Sequence, residues 1–320
     1  MLGYEELKEN IERTDTTVEC PVKGCSERVV RQRDTFRKKK RFQCSIHKIY
    51  ISPSTFEYPS ELDNLLWKTD EDLELLNRIS QEKRERRMPR ERSEDAVSWN
   101  VFRFLEKNNL VEGFLASIAR KSLKSSDVIY WSYSQKEDSD WSLLNRARRE
   151  FGERLSRSSE PDIIIVTENS LFFIETKLTA RNRTVPSNPR AYKKYETGGN
   201  NWFSNVFESD YKTVAIVEKK YELLRFWLLG TWIAEQMDVD FYLANLVRSG
   251  RERTIESIFK KHIKENQQRQ FLRATWESIY DYISKSGQSK DKEKMLRYFR
   301  NKTVGYDHNG KLQKAFTITR

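Results

Sequence analysis

Two apolar runs lie close together near the middle of the chain, at 163–166 and 171–174. Their sequences are Ile-Ile-Ile-Val and Leu-Phe-Phe-Ile, and the short polar stretch Thr-Glu-Asn-Ser separates them. Short apolar runs bounded by turn residues are typical of strands buried inside a sheet. The pattern therefore predicts a β-hairpin of two interior strands.

Helical and strand patterns alternate on either side of this hairpin. Ser93 is a favourable N-cap followed by two acidic residues, which suit the positive end of a helix, so a helix is predicted from Ser93 to about Lys107. The other predicted elements are helices over 61–79, 141–155 and 219–237, strands over 127–133 and 239–247, a long loop with short helical pieces over 181–212, and a mostly helical tail with a hairpin at 308–310. This order predicts an α/β (α+β) fold with a central mixed β-sheet flanked by helices.

The composition adds a constraint on partners and location. There are 59 Lys+Arg against 48 Asp+Glu, a net charge of +11 at pH 7, which suits a polyanion such as nucleic acid. A soluble protein that is basic without binding any polyanion fits the same numbers. The apolar run 226–234 is too short to cross a bilayer, no signal peptide is evident, and three cysteines do not suit a secreted disulfide framework. A cytoplasmic (intracellular) protein without a membrane partner is therefore expected.

Three charged residues fall at one end of the predicted hairpin. Asp162 opens the first strand, and Glu175 and Lys177 end the second, on the same side because strand side chains alternate. Charges at the end of an apolar hairpin are costly unless they are paired or bind metal. Two carboxylates suit Mg²⁺ or Mn²⁺, and metal-assisted phosphodiester hydrolysis uses such a set. The alternative is a surface hairpin ending in a Glu–Lys ion pair, which the apolar flanks disfavour.

The segments Pro161-Asp162 and Glu175-Thr176-Lys177 resemble the signature of the PD-(D/E)XK superfamily, the restriction-endonuclease-like nucleases. The resemblance implies a restriction-endonuclease-like core. It also implies that Asp162, Glu175 and the backbone carbonyl of Thr176 ligate a catalytic Mg²⁺ or Mn²⁺, and that Lys177 serves the attacking water. Many members work as dimers, so a homodimer is an expectation on that ground alone.

Many members of this superfamily add an acidic residue from the first core helix to the metal site. Glu94 fits that role, because at about 100° per residue it falls on the apolar stripe that contains Val97 and Val101. Asp95 points about 100° away on the same helical wheel and ranks below it. Glu94 is therefore the fourth predicted residue of the active site.

All three cysteines and one of the three histidines lie within 28 residues near the N-terminus. The pairs are Cys20 with Cys25 and Cys44 with His47, separated by eighteen residues that suit a pair of strands. Three thiolates and an imidazole form a closed tetrahedral site typical of structural Zn²⁺. A zinc-ribbon-like module is predicted. The alternatives are metal-free core cysteines and a catalytic Cys–His pair, for which no orienting third group is evident.

A basic segment lies between the two pairs and is a predicted nucleic-acid contact. An exposed basic hairpin without a ligand is the alternative. Its seven basic residues are Arg31, Arg33, Arg37, Lys38, Lys39, Lys40 and Arg41.

These observations favour a Mg²⁺-dependent endonuclease. The resemblance implies DNA, most simply duplex DNA, as its substrate, and a role in restriction or another form of genome defence. The alternatives are a catalytically inactive nucleic-acid-binding protein on the nuclease fold, a repair, transposition or junction-resolving nuclease, and a non-enzymatic interaction protein built on zinc. The predicted division is a zinc-ribbon-like module at 1–58, a helical basic linker at 59–92, the nuclease core at 93–250 and a mostly helical C-terminal extension at 251–320.

Overall fold

A seven-stranded mixed sheet contains the predicted hairpin in this computed structural model, which describes residues 7–32, 36–52, 54–82, 88–154 and 158–318. The chain forms two units: 70–84 with 105–276, which contains this sheet, and 1–69 with 85–104 and 277–320. We call them the sheet unit and the terminal unit. Each combines separated stretches of sequence, and the predicted four-segment division stays a prediction. Residues 83–87 of the predicted basic linker lie outside the described ranges.

The described strands and helices are numbered in chain order. The strands are β1 Thr17–Glu19, β2 Arg28–Val30, β3 Tyr50–Ile51, β4 Phe56–Glu57, β5 Asp127–Tyr130, β6 Tyr133–Ser134, β7 Ser139–Asp140, β8 Ile163–Val166, β9 Ser170–Thr176, β10 Asp240–Val247, β11 Arg269–Thr275, β12 Thr303–Tyr306 and β13 Leu312–Lys314. The α-helices are α1 Asp70–Glu82, α2 Glu94–Lys107, α3 Val111–Ala119, α4 Ser142–Glu150, α5 Tyr192–Val206, α6 Tyr221–Met237, α7 Ile255–Phe259, α8 Trp276–Lys285 and α9 Lys292–Asn301.

The sheet has the strand order β11-β10-β9-β8-β5-β6-β7. Strands β9, β10 and β11 are parallel, and β8 pairs antiparallel with both β9 and β5. The predicted hairpin is therefore confirmed, with Ile163 opposite Ile174. All seven residues of β9 are buried, so both of its faces are covered, as its continuous apolar run indicated.

Helices α4, α5 and α6 share one hydrophobic core with the sheet, and α3 packs against the edge strand β11. Helix α6 approaches β10 closely at Gly230, where a Cβ atom would collide with the ring of Phe241. The predicted mixed sheet flanked by helices is confirmed at this level.

Several predicted boundaries change in the sheet unit. The helix predicted over 61–79 begins only at Asp70, and a 3₁₀ turn occupies Glu61–Asn64 in the terminal unit. The tail predicted to be mostly helical contributes β11 to the sheet, which the sequence did not indicate. The backbone of α5 leaves helical geometry from Gly198 to Asn201, in line with the predicted loop with helical pieces.

The terminal unit holds three short antiparallel strand pairs, β1–β2, β3–β4 and β12–β13. The pair β12–β13 confirms the hairpin predicted at 308–310. The strand pair predicted between the cysteine pairs is wrong, because that segment supplies β2, whose partner β1 precedes Cys20. A buried ion pair joins two segments of this unit: Lys302 Nζ lies 3.3 Å from a carboxylate oxygen of Glu91.

Within the described ranges, the helices are all too short or too polar to cross a membrane.

Candidate active site and candidate metal centre

The hairpin register brings the predicted catalytic residues to one end of β8 and β9. Since Ile163 pairs with Ile174, the preceding Asp162 lies across from Glu175. The carboxylate of Asp162 accepts two hydrogen bonds from Thr176, from its backbone N–H at 2.8 Å and from its hydroxyl at 2.7 Å. The side chain of Asp162 is thereby held against the end of β9.

The ammonium group of Lys177 lies between two carboxylates. One is Glu175, its neighbour on the same side of the chain, and the other is Glu222 of helix α6, whose Oε2 is 2.9 Å from Lys177 Nζ. The backbone N–H of Lys177 donates to the carbonyl of Leu246, so the chain still follows β10 at this point. The side chain of Lys177 is only 12% exposed, so it has little freedom to move away from the two carboxylates.

Electrostatics at this site favour an additional cation. Burial raises the pKa of Glu175 well above its ordinary value, and the charges of Asp162 and Glu222 raise it further, against the opposing effect of Lys177. Burial lowers the pKa of Lys177, but Glu175, Glu222 and Asp162 outweigh it, and the net shift is upward. Three carboxylates around one ammonium group leave a formal surplus of two negative charges when all are ionised. Because their oxygens are hard donors, a divalent cation such as Mg²⁺ suits the donor set.

Two buried amides support the same end of the sheet. Asn245 of β10 lies opposite Glu175 and donates to its carbonyl at 3.3 Å. The side chain of Asn182 donates to Asn245 Oδ1 at 2.8 Å, and the ammonium of Lys220 donates to the carbonyl of Asn182 at 2.7 Å. The hydrogen-bonding groups around Glu175 are thus fixed by three separate parts of the chain.

Glu222 is a residue that sequence reasoning missed. Its position in the first turn of an apolar helix was consistent with a simple effect of the helix dipole. The available signal was the same as for Glu94, since Glu222 falls on the helical stripe of Phe226, Leu229 and Ile233. A carboxylate on a core-facing stripe needs a partner, and here the partner is Lys177.

Glu94 is the first residue of α2, as predicted, and it is half-buried, as is Asp95. Glu94 belongs to the terminal unit, whereas Asp162, Glu175, Thr176 and Lys177 belong to the sheet unit. Its participation in the metal site stays a prediction.

The side chains of Cys20, Cys25, Cys44 and His47 gather in the terminal unit, as predicted. Their ligand atoms all lie within 4.8 Å of one another, with Cys44 Sγ 3.6 Å from His47 Nδ1 and 3.8 Å from Cys25 Sγ. The three cysteines are buried and unbridged, and burial raises the pKa of the Cys20 thiol. Such a cluster can bind a metal such as zinc, which takes tetrahedral sulfur and nitrogen ligands.

The predicted basic segment is only partly available for binding. Arg31 donates to the carbonyl of Thr14 at 2.9 Å, and Lys38 forms an ion pair with the buried Glu57. The guanidinium of Arg41 lies 4.7 Å from the ring centroid of its neighbour Phe42. Exposed members are Arg37, Lys38, Lys39, Lys40 and Arg41, and Arg33 lies outside the described residues.

Comparisons of this chain with protein-family models, with curated proteins and with solved structures gave no match.

Proposed function

We propose that this chain is a metal-dependent nuclease of the PD-(D/E)XK type, with a restriction-endonuclease-like core, that hydrolyses phosphodiester bonds of DNA. The observation that carries the proposal is the gathering of Asp162, Glu175 and Lys177 at the end of two interior strands, in the order that the superfamily signature requires. The surplus negative charge supports a divalent cation at this position.

Asp162 and Glu175 are the residues that would hold Mg²⁺ or Mn²⁺, with the Thr176 carbonyl as a further oxygen donor. When bound, such an ion polarises the phosphate and lowers the pKa of a coordinated water. The two hydrogen bonds from Thr176 orient the carboxylate of Asp162.

Lys177 would orient the attacking water and offset the charge that develops on the phosphate. Glu222 would hold the ammonium group of Lys177 in place through the 2.9 Å contact. Preorganised charges of this kind stabilise a transition state most where water is excluded, and Glu175 is only 3% exposed.

Cleavage of plasmid DNA by the purified full chain, over a series of Mg²⁺ and Mn²⁺ concentrations, tests the proposal. Wild-type protein should cut, and the variants Asp162→Ala and Lys177→Ala should not. Glu168→Ala and Lys124→Ala are matched controls: both residues are exposed, and they lie together at the turn end of the same hairpin, where Glu168 N–H donates to the Lys124 carbonyl.

Cutting that is equal in Asp162→Ala and Glu168→Ala would refute the assignment. A wild-type protein that binds DNA but cuts with neither metal would favour a nucleic-acid-binding protein without catalysis.

A further inference from the structure

The segment that follows Lys177 is unusually basic. Residues 178–195 contain five lysines and arginines and no aspartate or glutamate, in a chain with 48 acidic residues among 320. Arg181 and Arg183 are exposed, and neither side chain takes part in an ion pair within the described ranges. Their charges are therefore available to an external anion.

The chain turns tightly between these two arginines. The backbone N–H of Arg183 donates to the carbonyl of Arg181 at 2.7 Å, and Asn182 lies at the centre of the turn with only 2% of its surface exposed. Because the Asn182 side chain is directed into the protein, toward Asn245, the arginines on either side are left at the surface.

The turn is attached to the candidate active site on two sides. On one side, Asn182 bonds to Asn245, which donates to the carbonyl of Glu175. On the other, the hydroxyl of Thr184 accepts the backbone N–H of Glu222 at 2.9 Å, and Thr184 N–H donates to the carbonyl of Lys219 at 2.8 Å. Asn182 and Thr184 thus tie the segment that carries both arginines to Asn245 and Glu222 at the carboxylate site.

We propose that Arg181 and Arg183 form a phosphate-binding surface that holds the DNA strand next to the bond being cut. The choice of DNA as the ligand rests on the proposed function. Arginine suits the role because its planar guanidinium donates two hydrogen bonds to one phosphate and stays charged. The surface is distinct from the basic segment at 31–41, which belongs to the terminal unit.

The test is the salt dependence of DNA affinity, measured by fluorescence anisotropy with a labelled duplex and without added Mg²⁺ or Mn²⁺. Each phosphate contact contributes about 0.9 to the slope of log affinity against log salt, so Arg181→Ala/Arg183→Ala should lower the slope by about 2. The affinity advantage of wild type over this variant should shrink about 12-fold between about 50 and about 200 mM salt.

Two further variants keep the result interpretable. Arg181→Lys/Arg183→Lys keeps the charges and should keep the wild-type slope. Arg120→Ala/Lys124→Ala removes the same number of exposed charges from the segment between α3 and β5, which contacts the turn of the hairpin at Lys124, and should leave the slope unchanged. Thermal melting of each variant checks that the fold is intact.

The proposal is overturned if wild type does not bind the duplex, if the Arg181/Arg183 variant keeps the wild-type slope, or if the Arg120/Lys124 control loses as much. Cleavage with metal is measured separately on the same proteins. If the salt slopes change as expected but the wild-type protein does not cut, the phosphate-binding role of Arg181 and Arg183 is supported and the nuclease assignment is refuted. If the wild-type protein cuts but Arg181→Ala/Arg183→Ala keeps the wild-type salt slope, the nuclease assignment is supported and the role of the two arginines is refuted.

Discussion

Replacing Glu222 by glutamine removes one of the two carboxylates that hold the ammonium group of Lys177. The side chain keeps its size, but the charge-assisted contact at 2.9 Å becomes a weak neutral one. The contact is an ion pair in which the Glu222 side chain is 30% exposed, and a partly exposed ion pair contributes up to about 1 kcal/mol. If that energy serves to place Lys177 for the reaction, kcat/KM should fall up to about 5-fold.

The assay is single-turnover cleavage of a labelled duplex at saturating metal, with DNA affinity measured separately. Because Glu222 is proposed to act through Lys177, the loss should appear in the rate of cleavage, and the Kd for DNA should stay the same. Glu235→Gln is the matched control, since Glu235 lies on the same helix, is exposed and has no ion pair within the described ranges. Glu222→Asp should recover part of the rate.

A double variant distinguishes positioning from a separate effect. The comparison uses the residual single-turnover rate of Lys177→Ala with enzyme in large excess, below the level that the plasmid assay detects. If Glu222 acts only through Lys177, then Glu222→Gln added to Lys177→Ala should not lower this residual rate further. A further loss of similar size in the double variant, or a single variant as active as Glu235→Gln, would show that this carboxylate does not position the lysine.

Three other predictions concern stability, metal and DNA binding. Burial opposes ionisation of Glu153, but its ion pair with Arg225 prevails, and the pKa of Glu153 is lowered. The contribution of Glu153 to stability is therefore complete above the unfolded-state pKa of about 4.3, and it is lost as the pH falls through the lower folded-state pKa. Glu153→Gln should therefore lower the free energy of unfolding by about 3–5 kcal/mol at neutral pH and less in acid, measured by urea denaturation, and an equal loss at all pH values would contradict this. Cys44→Ser should abolish bound zinc in elemental analysis of the purified protein and destabilise residues 1–58; unchanged zinc content would exclude Cys44 as a ligand. Lys39→Ala/Lys40→Ala should lower the slope of log DNA affinity against log salt by about 2, and it leaves no buried acid unpaired. An unaltered slope would exclude these lysines from the interface.

The parts of the fold that were predicted correctly depend on local patterns. The hairpin was predictable because two apolar runs flank a short polar turn, which allows few registers, and one of these places Asp162 across from Glu175. The boundaries of α2 followed from Ser93, whose hydroxyl accepts the backbone N–H of Ala96 at 3.1 Å. The Cys/His cluster was predictable because its ligands lie so close in sequence.

The missed features depend on contacts between distant parts of the chain. Strand β11 has only two buried residues, Phe271 and Ala274, and as an edge strand it lacks the apolar run of an interior one. The ion pair of Glu91 with Lys302 joins residues 211 positions apart, and no periodicity in either segment indicates the partner. The discontinuous units have the same cause, since separated segments are brought together only by tertiary packing.

The position of Glu175 is itself an argument for function. It is the last residue but one of a strand that is buried along its whole length, and one lysine faces the three carboxylates of Asp162, Glu175 and Glu222. Replacing buried charges by apolar residues of similar size is often neutral or stabilising, so folding alone would favour an apolar residue at this position. Functional sites commonly retain such residues at the expense of stability. When all three carboxylates are ionised, the lysine neutralises one of the three negative charges, and a divalent cation would compensate the other two. The proposed metal-assisted hydrolysis would account for the retention of these charges at the end of β8 and β9.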